Sequence, residues 1–360
     1  MASGAARSAS EPGSAPPSGS DGTPSPGTPG SAAPDTVGSA GAAGAASTGP
    51  ITLAFAGDVH FANGLAALLA HPQNSLAGLR PYLAGADLAV VNLETAITSR
   101  GTPQPKQYHF RATPSALDAL KVAGVDAVTM ANNHAVDYGV DGLRDTLAAQ
   151  SASPIPIVGI GKDAAQAYAP AMFDVHGLKI ALLGATQIPD WTLATWPAGT
   201  SKPGVAVASA PADRLVAAVR AAKRTSDVVV VYLHWGTDYT TCPNSLQERT
   251  VAALSRAGAS VIVGSHAHRV EGSGWAGSTF VDYGLGNFVW WKSQEPDSRT
   301  GVLTVTLDAA GHPVAQKWHS MLIGSDGLPR APGASAQARL DKAVDAARAC
   351  SGLRLRPTRP

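Results

Sequence analysis

The chain has 360 residues, with 27 Lys and Arg against 26 Asp and Glu and a formal net charge of +1. That balance offers no electrostatic case for nucleic acid, and no apolar run is long enough to span a bilayer. Its 2 cysteines, Cys242 and Cys350, exclude a disulfide framework and a Cys-based zinc site and leave open whether they pair.

Residues 1–50 are rich in Gly, Ala, Ser and Pro and nearly lack large apolar side chains. They cannot bury enough surface to offset the entropy of ordering, so the composition predicts a disordered tail. Such segments often tether a domain to a membrane or wall, although Met1-Ala2-Ser3-Gly4 does not open a signal peptide. Order is expected to begin with a strand over residues 51–56 that runs into Gly57-Asp58-Val59-His60. Helical patterns follow at 64–70 and 74–83. The apolar run 86–91 predicts a second strand, ending in Asn92-Leu93-Glu94. Pro114 suits the first turn of a helix reaching Ala123. A third strand, 125–130, ends in Ala131-Asn132-Asn133-His134. Asp141 is placed to cap a helix through Ala149, and 155–158 is a short strand.

From Met172 the rhythm changes. Residues 172–175 and 179–183 flank His176-Gly177 and read as a hairpin. An amphipathic helix over 210–224 precedes the β-branched run 228–233, which ends in His234-Trp235-Gly236. A helix over 245–257 feeds the buried strand 259–263, and the turn after it is Gly264-Ser265-His266-Ala267-His268. Residues 278–283 and 301–307 read as antiparallel strands with Gly284-Leu285-Gly286-Asn287-Phe288 between them, and 314–319 as another. Trp290-Trp291 reads as rim packing, and 335–350 as a terminal helix. Strand–helix alternation in the first part predicts a parallel or mixed sheet, and the later hairpins a second, antiparallel layer. The simplest division is a tail over 1–50, one α/β domain over 51–322 and a C-terminal extension over 323–360 with a helix.

Polar residues follow five strands in succession: Asp58 and His60, Glu94, Asn133 and His134, His234, then His266 and His268. Strand ends at one edge of a sheet converge in space, and ligands gather there. Carboxylates, imidazoles and an amide are the ligands of divalent transition metals. Asp137 is placed to orient a histidine. Lys106 and Arg111, in the loop after Glu94, could meet an anionic substrate, as could Asn287.

The strings Gly57-Asp58, Asn92-Leu93-Glu94, Asn132-Asn133-His134 with Asp137 and Gly139, His234-Trp235-Gly236, Gly264-x-His266-x-His268 and Tyr283-x-Leu285-Gly286-Asn287-Phe288 resemble the bacterial capsule-synthesis CapA family. That family is linked to poly-γ-glutamate production and belongs to the calcineurin-like metallophosphoesterase superfamily. The resemblance implies a four-layer α/β/β/α sandwich with a dinuclear site of two divalent metal ions, Mn, Zn or Fe, on one edge. It implies Asp58, His60 and His268 on the first metal, Asn133, His234 and His266 on the second, and Glu94 bridging where the superfamily has Asp. It also implies His134 as a general acid near the leaving group. Ala267 stands where proline is expected, and His60 brings the chain closer to active phosphoesterases than many capsule-family members. The implied activity is hydrolysis of phosphoester bonds tied to capsule or envelope polymers, outside the cytoplasm. The alternatives are a non-catalytic synthesis or export factor within a capsule-synthesis complex, and an amide-bond enzyme on γ-glutamyl polymers.

Overall fold

The β-branched runs read from the sequence form the central strands of two sheets, and those central strands are buried on both faces. The computed structural model describes residues 49–208 and 213–358. The expectation of a disordered tail over 1–50 therefore lies, but for residues 49 and 50, outside the described residues. The first sheet runs Pro329–Arg330, Pro313–Ile323, Arg299–Leu307, Ile51–Val59, Leu88–Leu93, Ala127–Thr129 and Ile157–Val158, with Asn287–Val289 beside the end of Ile51–Val59. The second runs Ser273–Ala276, Thr279–Asp282, Val261–His266, Val228–Trp235, Leu178–Thr186 and Ala171–Val175. Parallel pairing joins the strands that the sequence separates by helices.

Side chains alternate across a strand, and here the alternation sorts them into separate cores. In Val228–Trp235, Val228, Val230 and Tyr232 meet Leu53, Phe55 and Val90 of the first sheet, forming the core between the sheets. Val229, Val231 and Leu233 face the other way, onto Leu215 and Val219 of one helix and Val251 and Leu254 of another, Ser245–Ala257. On the outside of the first sheet, Val91 and Val128 pack with Leu117 and Leu120 of Ser115–Val122 and Leu143 of Gly139–Ala152. Three cores separate four layers, so the fold is an α/β/β/α sandwich.

Four local expectations change. Asp141 does not cap its helix but lies in the first turn of Gly139–Ala152, which follows Tyr138 with no side-chain cap. Residues 65–70 form a 3₁₀ helix, and the helical pattern over 74–83 becomes the 3₁₀ turn Ala77–Leu79 and one α-turn, Arg80–Leu83. Neither 3₁₀ segment has a side-chain cap to its first amides, so the α-form lacks its usual start signal. The strands expected over 278–283 and 301–307 do not pair. Thr279–Asp282 joins the second sheet, between Val261–His266 and Ser273–Ala276, whereas Arg299–Leu307 joins the first. The chain crosses between sheets through Gly286, whose φ of 71° lies in the left-handed region that favours glycine. Beyond residue 322, Pro329–Arg330 extends the first sheet, helix Ala334–Ala349 contacts Pro313–Ile323, and Cys350 is bonded to Cys242.

Candidate metal centre

The carboxyl ends of the central strands of both sheets open at one edge, where parallel register sets side chains beside one another. Asp58 lies opposite Asn92 and also opposite Asn287. His234 lies opposite Ser265, and Trp235 opposite His266. Gly57 is required here: a Cβ would fall 1.8 Å from the Gly286 carbonyl oxygen. That carbonyl accepts from the Asp58 amide, which fixes the backbone at the first carboxylate. The His-x-His turn leaves its ladder with φ of 98° at His266 and 52° at His268. Left-handed backbone at non-glycine residues stores strain, and such strain concentrates at functional sites.

His234 is the hub. Its Nε2 lies 2.8 Å from Asn133 Oδ1, 3.1 Å from His266 Nδ1 and 3.5 Å from Glu94 Oε1. On the other side, His268 Nδ1 lies 2.8 Å from Asn287 Oδ1 and 3.5 Å from Asp58 Oδ2. Asp58 Oδ2 also accepts from the His266 amide, and Oδ1 from Asn92. Two groups of ligand atoms lie within 4.8 Å of one another: Asp58, Glu94 and His234, and Glu94, His266 and His268. Glu94 belongs to both.

Glu94 tests whether these residues suit a metal. It is fully buried, and neither carboxylate oxygen has a hydrogen-bond partner among the described residues. Burial, then the nearby Asp58, raises its carboxyl well above the ordinary range. Isolated buried carboxylates are costly, and protons or cations relieve them. Burial holds His234 and His266 down to about 4, leaving both neutral and able to coordinate at neutral pH. Burial also opposes charge on His268, but its hydrogen bond to Asp58 and the neighbouring Glu94 carry it up to about 9. Burial works against ionising Asp58, yet the His268 bond and the adjacent imidazoles hold that carboxyl well below its usual value. Neutral imidazoles, carboxylates and an amide oxygen around one unsatisfied buried carboxylate fit divalent metal ions.

His134 stands at the rim of this group. Its Nδ1 lies 2.6 Å from Asp137 Oδ2, and its Nε2 3.7 Å from Glu94 Oε1. Asp137 also accepts from the Phe110 amide and lies 2.9 Å from Lys106 Nζ; burial pushes its carboxyl up to about 6. Burial, then Lys106, lowers the His134 imidazole well below its ordinary value. Lys106 is bound to Asp137, Asp190 and the Asn133 carbonyl.

Of the remaining predicted site residues, His60 and Arg111 stand apart from the central groups, whereas Asn287 touches His268. His60 lies in an aromatic enclosure, stacked on Phe110 at 4.5 Å and edge-on to Trp290 and Trp291 at 4.3 and 4.6 Å. Its Nδ1 accepts from the Ala62 amide, and its buried Nε2 has no partner among the described residues. Asn287 is buried, with its amide between His268 and the Asp297 carbonyl. Arg111 is exposed, its guanidinium 4.1 Å from the Tyr138 ring centre. Two participants had no assigned role in the sequence. Asn92 Nδ2 lies within reach of both Asp58 Oδ1 and His234 Nδ1, at 2.8 and 3.1 Å. Phe110 sits between His60 and His134, with the latter ring at 4.0 Å. Asn92 shares its string with Glu94, a usable signal. Phe110 reaches the site only through tertiary folding.

A family model described as "Bacterial capsule synthesis protein PGA_cap" matches residues 52–291. "PGA biosynthesis protein CapA" of Bacillus subtilis is 34% identical over 217 residues, 59% of this chain and 55% of that protein. "Capsule biosynthesis protein CapA" of Bacillus anthracis is 32% identical over 218 residues, 58% and 52% of the two chains. A "Probable polyglutamine synthesis accessory protein" of Mycobacterium tuberculosis is 29% identical over 265 residues, 68% of each. The chain thus spans about half the length of the two Bacillus relatives. Among solved structures, that of a 5'-nucleotidase precursor from Thermus thermophilus aligns with 82% of this chain and 58% of that one, at 17% identity and a TM-score of 0.47.

Proposed function

The chain belongs to the bacterial capsule synthesis protein PGA_cap family, and from that membership we propose that it is a metal-dependent hydrolase of phosphoester bonds in capsule or cell-envelope polymer metabolism. The observation that carries this reading is Glu94, a buried carboxylate without a donor, shared by two groups of ligand-type atoms. Following the family resemblance rather than the membership of those two groups, Asp58, His60 and His268 would hold one divalent ion and Asn133, His234 and His266 the other, with Glu94 in the same ligand set. The ions are Mn, Zn or Fe. Bound there, they supply charge stabilisation for phosphoryl oxygens and a water-derived nucleophile at neutral pH.

The protein's own groups have separable tasks. His60 joins the ligand set only by releasing the Ala62 amide, because a neutral ring that accepts at Nδ1 carries its proton on Nε2. Asn287 positions His268 by engaging its Nδ1. Asp137 fixes His134 through Nδ1, leaving Nε2 to serve the leaving oxygen. Burial and Lys106 keep the resting ring neutral; an arriving phosphate anion favours the imidazolium, which then donates from Nε2. The Cys242–Cys350 bond supports an extracytoplasmic location, because such bonds persist in oxidising compartments. An anionic polymer or small molecule is the proposed substrate class, and a capsule-synthesis complex the proposed setting.

A second reading, a non-catalytic factor in polymer synthesis or export, is favoured by relatives named for PGA biosynthesis. The discriminating experiment loads the purified chain with Mn or Zn and offers a phosphomonoester, a phosphodiester and poly-γ-glutamate. The hydrolase reading expects ester cleavage that falls about 10²–10⁴-fold in His134→Asn, the usual contribution of a general acid. Cleavage of the polymer alone would replace it with an amide-bond enzyme, and no turnover with any metal would leave the non-catalytic factor.

A further inference from the structure

A cavity of about 290 Å³ lies between helix Ala334–Ala349 and the strands Arg299–Leu307 and Pro313–Ile323. The helix supplies Leu340 and Val344 as an apolar wall. Thr300 and Ser320, 1% and 7% exposed, line the strand side. Neither hydroxyl oxygen has a hydrogen-bond partner among the described residues. Buried hydroxyls normally find one, so two orphans lining one cavity call for a ligand or water. The charged lining residues are Arg269 and Arg299, and none of the described lining residues is acidic.

The charge around these arginines is unbalanced. Asp297 is bound by Arg269 and Lys292, and Glu295 by Arg299 and Arg339, so four cations meet two carboxylates. Guanidinium groups present several donors in a fork and retain capacity after one carboxylate contact. The volume is enough for about ten non-hydrogen atoms at ~30 Å³ each, the share of a water in the liquid. We propose that this cavity is a binding site for a small amphiphilic oxyanion: an alkyl chain along Leu340 and Val344, and a carboxylate or phosphate head at Arg269, Arg299 and the two hydroxyls. None of the residues lining the cavity is a proposed metal ligand, although Arg269 follows His268 and donates to its carbonyl; the proposal stands whether or not the hydrolase reading does.

Titration calorimetry of the full chain with octanoate, pentyl phosphate and octanol tests it. Either anion should bind one per chain with Kd below about 1 mM, the tighter one identifying the head group, and octanol should bind at least tenfold more weakly. Ala343→Phe, which fills the cavity from the helix, should abolish binding. Should that variant fold poorly, the near-isosteric pair Thr300→Val and Ser320→Ala decides: it should weaken the anion at least fivefold with the melting temperature unchanged or raised. Octanol binding as tightly as octanoate overturns the proposal. So does unchanged affinity in either folded variant, or no binding of either anion up to about 10 mM.

Discussion

Glu94 sets a conflict between stability and metal binding. Its burial without a donor makes the ionised form unfavourable in the metal-free protein, which is why its carboxyl is raised. Glu94→Gln keeps the shape and removes the charge. It is expected to stabilise the metal-free protein at pH 8 by about 1–3 kcal/mol, the range for relieving one buried unsatisfied group, while weakening metal affinity. Urea unfolding with and without chelator measures both effects, and a destabilised metal-free variant would contradict the account. His268 supplies a second test. Its pKa rises from 6.5 unfolded to about 9 folded, where it faces Asp58, Glu94 and Asn287. A raised folded value stabilises fully below pH 6.5, and that stability is lost as pH climbs through about 9. The metal-free protein should therefore lose urea resistance between those limits, whereas metal, which displaces that proton, should flatten the slope.

At the scale of elements, the Cys242–Cys350 bond joins the end of the C-terminal helix to the loop that carries Asp238, whose Oδ1 lies 3.1 Å from His266 Nε2. It spans 108 residues, and closing a loop near that length removes about 4–5 kcal/mol of unfolded-state entropy in the chain-entropy model. The double substitution Cys242→Ser and Cys350→Ser should lower the urea midpoint by an amount equivalent to about 2–5 kcal/mol. An unchanged midpoint would show that the bond does not constrain the fold. These cysteines also mark a limit of sequence reading, since spacing alone left their pairing open. The central strands were legible because they are buried on both faces and read as unbroken apolar runs, as in Val228–Trp235. Helix Ser245–Ala257 was legible too; Asn244 and Gln247 form its capping box. Sheet membership was not legible for Thr279–Asp282, because alternation looks the same in either sheet. The strand-end positions of Asp58, Glu94, His234 and His266 followed from where apolar runs stop. The aromatic enclosure of His60 did not, because Phe110 and Trp290 come from loops distant in sequence.

Across the whole molecule, two sheets present their carboxyl ends on one side, and five separated strand ends deliver one cluster. Helix Ser115–Val122 and helix Ser245–Ala257 cover opposite outer faces, so the sandwich edge is left for chemistry. Among the described residues no helix is long and apolar enough to cross a membrane. The proposed envelope location rests on the disulfide and on family membership. The cluster around Glu94 and His234 is proposed to hold metal. Elemental analysis of the purified, Mn- or Zn-loaded chain beside His266→Ala tests it most directly. About two ions per wild-type chain are expected, as in dinuclear hydrolases, with loss of at least one in the folded variant. Metal content near zero in the wild type, or equal content in both proteins, would contradict that proposal.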